Sequence, residues 1–180
     1  MDKAFEMSRA LEDYRRFPFE AAGSKNSRSS PEAIWEVVTQ IGGENRYFAL
    51  NGLWAAREWI DAAFGGPGRE RARPDGPLRP GDRVDSWRVL IADAPELLAL
   101  EFGMKAPGRG VLEFRIAPLP GGARLTATAW WDPDGIAGLL YWRAMQPAHL
   151  LLFSRLTAEI CRRAEADHHT GAPAALPSTA

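Results

Sequence analysis

A single cysteine, Cys161, is the whole thiol content of the 180-residue chain, so no intramolecular disulfide can form and no cysteine-built zinc site exists. A reducing compartment is the expectation. There is no excess charge of either sign, because 22 Lys plus Arg face 23 Asp plus Glu. No global positive field is available to gather phosphates, which argues against a nucleic-acid partner. No apolar run approaches the roughly eighteen residues of a membrane span, and the charged start, residues 1–16, has no signal-peptide core. A cytoplasmic protein without membrane insertion is expected.

Motifs are missing as well. The chain has no Gly-x-Ser-x-Gly elbow, no Gly-x-x-x-x-Gly-Lys phosphate loop and no His-Glu-x-x-His helix. The glycines of 65–68 follow a helical pattern and precede a loop, the wrong context for a phosphate cradle, and Gly108 and Gly110 sit in a hairpin turn. No cofactor and no metal site is expected. His149 is the only histidine outside the carboxyl-terminal stretch, too few for a metal.

What is present is 46% hydrophobic and 25% charged, the composition of one compact domain. Residues 1–18 predict a helical arm, with Phe5, Ala10, Leu11 and Tyr14 at helical spacing. The domain proper spans 19–166, and 167–180, with two prolines and no periodicity, predicts a disordered tail. A strand is plausible over 19–28. Ser30-Pro31-Glu32 is a helix start: a hydroxyl cap, a proline whose missing N–H costs nothing there, and an acid at the positive dipole end. That helix should run to Ile41, where Gly42 and Gly43 stop it. A second helical pattern carries Phe48, Trp54, Trp59 and Phe64, and a solvated loop over 69–83 follows.

Four strand-like runs then predict antiparallel hairpins over 84–91, 97–105, 110–117 and 123–131, separated by Pro- and Gly-bearing turns. Alternation puts Leu98, Leu100, Phe102 and Met104 on the buried side, then Leu112, Phe114 and Ile116, then Leu125, Ala127, Ala129 and Trp131. Glu113 and Arg115 should face solvent. The two alanines leave volume for something else, such as a ligand. Asp134 can cap a last helix over 135–165, roughly 45 Å long at 1.5 Å per residue, with Pro147 in its middle. Leu139, Trp142, Gln146, His149, Phe153, Leu156 and Ile160 form its inward stripe.

The order helix, helix, four-stranded meander, long helix suggests an α+β helix-grip architecture, an antiparallel sheet wrapped around the carboxyl-terminal helix. The sequence resembles the START-like (SRPBCC) superfamily, and within it the bacterial domain of unknown function family 2867. The residues that carry the resemblance are Ile41-Gly42-Gly43-Glu44, Trp87-Arg88-Val89, Met104-Lys105-Ala106-Pro107-Gly108-Arg109, Leu112-Glu113-Phe114, Tyr141-Trp142, and Pro147 with His149 and Phe153, within residues 27–165. Family members often follow a Rossmann domain, but no Gly-x-Gly-x-x-Gly precedes this one. The chain departs from the pattern in its extra amino-terminal arm and in Gly103 and Val111, where larger or polar side chains are common. The resemblance implies an internal cavity for an apolar or amphipathic small molecule, and brings no established catalytic residues.

Trp54, Trp87, Phe102, Met104, Phe114, Trp131, Trp142, Met145, His149 and Phe153 are the residues expected to line such a cavity, although each aromatic could equally fill a core. Seven tryptophans in 180 residues make the cluster more telling than its members. His149 and Tyr141 are the candidates for proton transfer, against the plainer alternative of a hydrogen-bonded core histidine. Tyr141, Arg88, Glu44 and Asn51 could fix a carbonyl at the mouth or be surface groups, and capping explains Asp132 and Asp134 without acid-base chemistry. Three functions follow: binding of a hydrophobic or amphipathic metabolite; a cyclase, isomerase or dehydratase of a polyketide- or terpenoid-like substrate in the same cavity; or an interaction module with a filled core, whose arm docks on a partner or in a homodimer.

Overall fold

The computed structural model describes residues 3–42, 73–103 and 106–170, with backbone alone for residues 3–6, 8, 9, 150 and 167–170. The elements are α1 (Lys3–Tyr14), β1 (Phe19–Ser27), α2 (Pro31–Val38), β2 (Arg83–Val84), β3 (Trp87–Asp93), β4 (Leu97–Phe102), β5 (Gly108–Leu119), β6 (Gly122–Pro133) and α3 (Gly135–Thr170). The expected helix through Phe48, Trp54, Trp59 and Phe64, with Glu44 and Asn51, lies outside the described residues, as do Met104 and Lys105. All strands join one antiparallel sheet in the order β1-β6-β5-β4-β3-β2. Because β1 pairs with β6 along its whole length, the first strand closes onto the last.

Local chemistry accounts for most boundaries. The Ser30 hydroxyl accepts from the Ala33 N–H at 3.3 Å, with Pro31 at the first helical position. α2 ends three residues before the expected Ile41, because the Thr39 side chain turns back to donate to the Trp35 carbonyl at 2.9 Å. The run expected over 84–91 divides into β2 and β3 at Asp85, whose φ of 53° makes the tight turn between them. α3 continues past the expected end at Glu165 to Thr170, so residues 167–170 are helical where the pattern predicted the start of the tail.

One face of the sheet holds the main core. Leu98, Leu100, Leu112, Phe114, Ile116, Leu125 and Ala127 pack there against Ile34, Val37 and Val38 of α2 and Phe153, Leu156, Ile160 and Ala164 of α3. The alternation read from the sequence is observed for these positions. Helix α3 lies tight against β1 at Gly23, where an added Cβ would stand 2.6 Å from the Phe153 carbonyl carbon. Beyond it, the Ser27 hydroxyl donates to the Glu165 carboxylate at 2.7 Å and the Arg28 N–H donates to the same oxygen at 3.1 Å. Cys161 is buried beside this contact, and burial, then the nearby Glu165 charge, push its thiol up to about 11.

The other face is covered too. Met7, Ala10, Leu11 and Tyr14 of α1 pack on a second cluster of Ile91, Leu97, Ala99 and Val111, with Phe17 and Trp130 at its margin. A β-bulge between Val89 and Ile91 turns Ile91 to this side while Val89 stays in the main core. Glu113, expected in solvent, is buried beneath α1 at 4% exposure. The Tyr14 hydroxyl donates to its Oε2 at 2.6 Å, and the Arg15 guanidinium donates to the same atom at 2.8 and 3.1 Å. Arg115 stands 3.5 Å from Oε1, and both arginines keep part of their side chains in solvent. Burial first, then the hydrogen bond to Glu113 and its charge, raise the Tyr14 hydroxyl above its ordinary range, keeping it a donor.

Two outcomes follow for stability. Tyr14→Phe removes one hydrogen bond to a buried charge and is expected to cost about 1–2 kcal/mol in urea unfolding. Combined with Glu113→Leu it should cost clearly less than the sum of the two single changes, and strict additivity would show that the pair does not interact. The Glu165 carboxyl is held below its usual range, first by the Ser27 hydroxyl and then by the Arg28 N–H. A depressed carboxyl contributes stability that is complete above its unfolded value of 4.5 and is lost as pH falls through the lower folded value. Wild type should therefore lose more of its urea midpoint below pH 4.5 than Glu165→Gln does.

Candidate functional site

Around the amino-terminal half of α3, the main core gives way to rings. Trp87 of β3 meets Phe102 of β4 edge-on at 5.1 Å, and Phe102 meets Trp131 of β6 at 6.2 Å and 81°. Trp131 lies 5.2 Å from the Tyr141 ring and 6.4 Å from Trp142, the two indoles being parallel within 8°. Trp142 contacts Phe19 of β1 at 6.0 Å and His149 at 4.7 Å, and His149 lies 5.5 Å from Phe153. One line of rings thus crosses from sheet to helix. These separations lie within the range at which edge-to-face and offset pairs attract.

Two glycines place the central indole. Gly110 pairs with Trp131 across β5 and β6, and a Cβ there would stand 3.1 Å from the Trp131 ring. At Gly108, where φ is 152°, a Cβ would stand 2.7 Å from the same ring. The indole therefore lies over β5 in space that a side chain would fill. These glycines were expected as turn residues; both belong to β5, and their role is to admit the ring. No pattern within β5 reveals this, because the ring comes from the neighbouring strand.

The Trp131 indole N–H donates to the Gly138 carbonyl at 3.2 Å, tying the sheet to the second turn of α3. Gly138 itself presses on the Pro107 carbonyl, 2.1 Å from where its Cβ would be. The Asp134 N–H donates to that same carbonyl at 3.0 Å, and the Asp134 carbonyl accepts from the Gly138 N–H. Asp134 thus starts the helix through its backbone, with Gly135 left-handed at φ 58°.

Of the residues expected to line a cavity, the structure brings Trp87, Phe102, Trp131, Trp142, His149 and Phe153 into one connected group. Met145 is half-buried on α3. Phe114 has no accessible surface and lies in the packed main core, which it shares with Trp87 and Phe153. Trp54 and Met104 lie outside the described residues. Tyr141 touches the group through Trp131, whereas Phe19 was not anticipated as a member. Its signal was available as an aromatic at the start of a strand, but only the β1–β6 pairing brings it near α3.

Arg88 is not at a pocket mouth: it is exposed and paired with Glu101 on the outer side of the sheet, where Arg109 joins Glu101, Asp13 and the face of Phe17. Leu139 and Gln146, expected in the inward stripe of α3, are exposed. Among the described residues, no group of three His, Cys, Asp or Glu side chains could hold a metal ion, and no helix is long and apolar enough to cross a membrane.

Known proteins share this architecture. Protein NE0264 from Nitrosomonas europaea superposes with a TM-score of 0.52 at 12% identity, over 82% of this chain and 95% of that one. The Zhui aromatase/cyclase from Streptomyces sp. R1128 superposes with a TM-score of 0.52 at 15% identity, over 83% and 95%. At such identities the likeness is one of fold, here the α+β helix-grip fold. No curated protein matches the sequence. The model of the family described as "Protein of unknown function (DUF2867)" matches residues 14–156. That match begins at the tyrosine that seats α1, takes in all six strands and ends in the packed half of α3: the chain belongs to the DUF2867 family.

Proposed function

We propose that the protein binds a small hydrophobic or amphipathic metabolite between the sheet and the amino-terminal half of α3. The observation that carries this reading is the connected line of rings from Trp87 to Phe153, placed where two layers meet beside the aliphatic core. A core needs only filling, and mostly aliphatic side chains, with Phe114, fill the rest of this one. Flat surfaces with a few polar edges, such as Tyr141 and His149, suit a guest with both apolar area and a hydrogen-bonding group.

The position of His149 supports a second reading, an enzyme using the same site. Its ring is half-buried between Trp142 and Phe153, within reach of whatever the rings hold. A cyclase, isomerase or dehydratase of a polyketide- or terpenoid-like substrate would use such a group, or Tyr141, for proton transfer. The structural relative from Streptomyces is described as an aromatase/cyclase, which makes cyclisation the first reaction to assay. The interaction-module reading loses support, since Leu11 and Tyr14 of the arm already pack on the chain's own sheet.

Native mass spectrometry of freshly purified protein should show an adduct that leaves on denaturation. Failing that, the apolar fluorophore 1-anilinonaphthalene-8-sulfonate should quench tryptophan emission saturably. Trp131→Ala is expected to weaken that binding by about tenfold, the equivalent of about 1.4 kcal/mol. Absence of both an adduct and saturable quenching would remove the binding reading. His149→Ala should spare binding and abolish turnover if the site is catalytic, and leave both intact if it only binds.

A further inference from the structure

α3 is one helix with two unequal halves. In the carboxyl half, Leu152, Phe153, Leu156, Thr157, Ile160, Cys161 and Ala164 are all at most 7% exposed, so each turn is anchored in the core. In the amino half, 135–146, Gly138 and Trp142 are the only buried residues among the described side chains. Ile136 and Leu140 are 78% and 64% exposed. Pro147 stands between the halves, where it lacks the N–H that would donate to the Arg143 carbonyl and its ring crowds that carbonyl. A helix is weakest to bending at such a position.

We propose that the amino half of α3 is a hinged wall of the binding site, pivoting at Pro147 and latched by Trp142. This inference rests on the binding reading above, since a wall needs something to admit. The latch is chemically simple. Trp142 stacks on Trp131 and touches Phe19, and the Trp131 indole N–H reaches the Gly138 carbonyl one turn away. Tyr141 against Trp131 and Gly138 against Pro107 and Pro133 add to these ring contacts in holding the half-helix down. The rings are also the surfaces a guest would use, so a bound ring or acyl chain takes up contacts that otherwise keep the wall closed. Left-handed Gly135 lies at the opposite end of the wall, where the chain leaves β6 and can absorb a change in direction.

Hydrogen exchange on the ligand-free protein tests the hinge without reference to any guest. Amides of 140–146 should exchange at least about tenfold faster than those of 153–164, a gap that Pro147→Ala should narrow. Stopped-flow association of 1-anilinonaphthalene-8-sulfonate then tests the gate. Pro147→Ala should slow association and dissociation together, leaving the Kd within about twofold, whereas Trp142→Ala should speed both. Equal exchange along the whole helix overturns the hinge. Binding of the probe with unchanged rates in Pro147→Ala overturns the gate and leaves the binding reading standing. Unequal exchange with no probe binding overturns the binding reading, and the gating role falls with it.

Discussion

The packing of the molecule depends on a tight backbone-to-backbone approach of α3 at Phe153 to β1 at Gly23, where an added Cβ would stand 2.6 Å from the helix. Any side chain at Gly23 would push the helix off the sheet, and the helix is what the inner face of the sheet is packed upon. The neighbouring contacts of the carboxyl half lie along the same approach: Leu156 and Ile160 reach the core, and Glu165 reaches Ser27 and Arg28. The contact also joins the two ends of the chain's topology, because β1 is the first strand and lies beside the last one, β6. A helix held this closely along one half can be loosely held along the other without loss of the fold.

The sheet is used on both sides, and that duality shapes its sequence. Along β5, Leu112 and Phe114 enter the main core while Val111 and Glu113 enter the layer under α1. Along β6, Trp130 meets the Tyr14 ring at 6.2 Å and Trp131 meets Trp142. Neighbouring residues therefore serve different layers. A buried carboxylate is tolerated because Tyr14, at the end of α1, and Arg15, just past it, both donate to it from nearly a hundred residues away in the chain.

Period-two alternation made the inner faces of β4, β5 and β6 legible, since one side of each strand must be apolar whatever covers it. It could not show that the outer side was also covered: a charged Glu113 beside Arg115 has the same pattern whether it faces water or Tyr14. The bulge in β3 was illegible for a related reason, since it changes the side on which Ile91 falls without changing composition. Aromatic abundance pointed to rings on β3, β4, β6 and α3 that the structure brings into one group. Their order in space depended on strand pairing, which is why Phe19 escaped notice and why Gly108 and Gly110 resembled turn residues. The proline in α3 was visible at once, but its meaning came only from the different burial on its two sides.

Cys161 lies in the tightly held half of α3, with its thiol pushed up to about 11 and its side chain almost wholly enclosed. At neutral pH it is a poor nucleophile, and a reagent cannot reach it while the helix lies on the sheet. The lone thiol is thus a built-in clock for detachment of the whole helix: its alkylation rate counts openings of the carboxyl half and is blind to movements confined to the residues before Pro147.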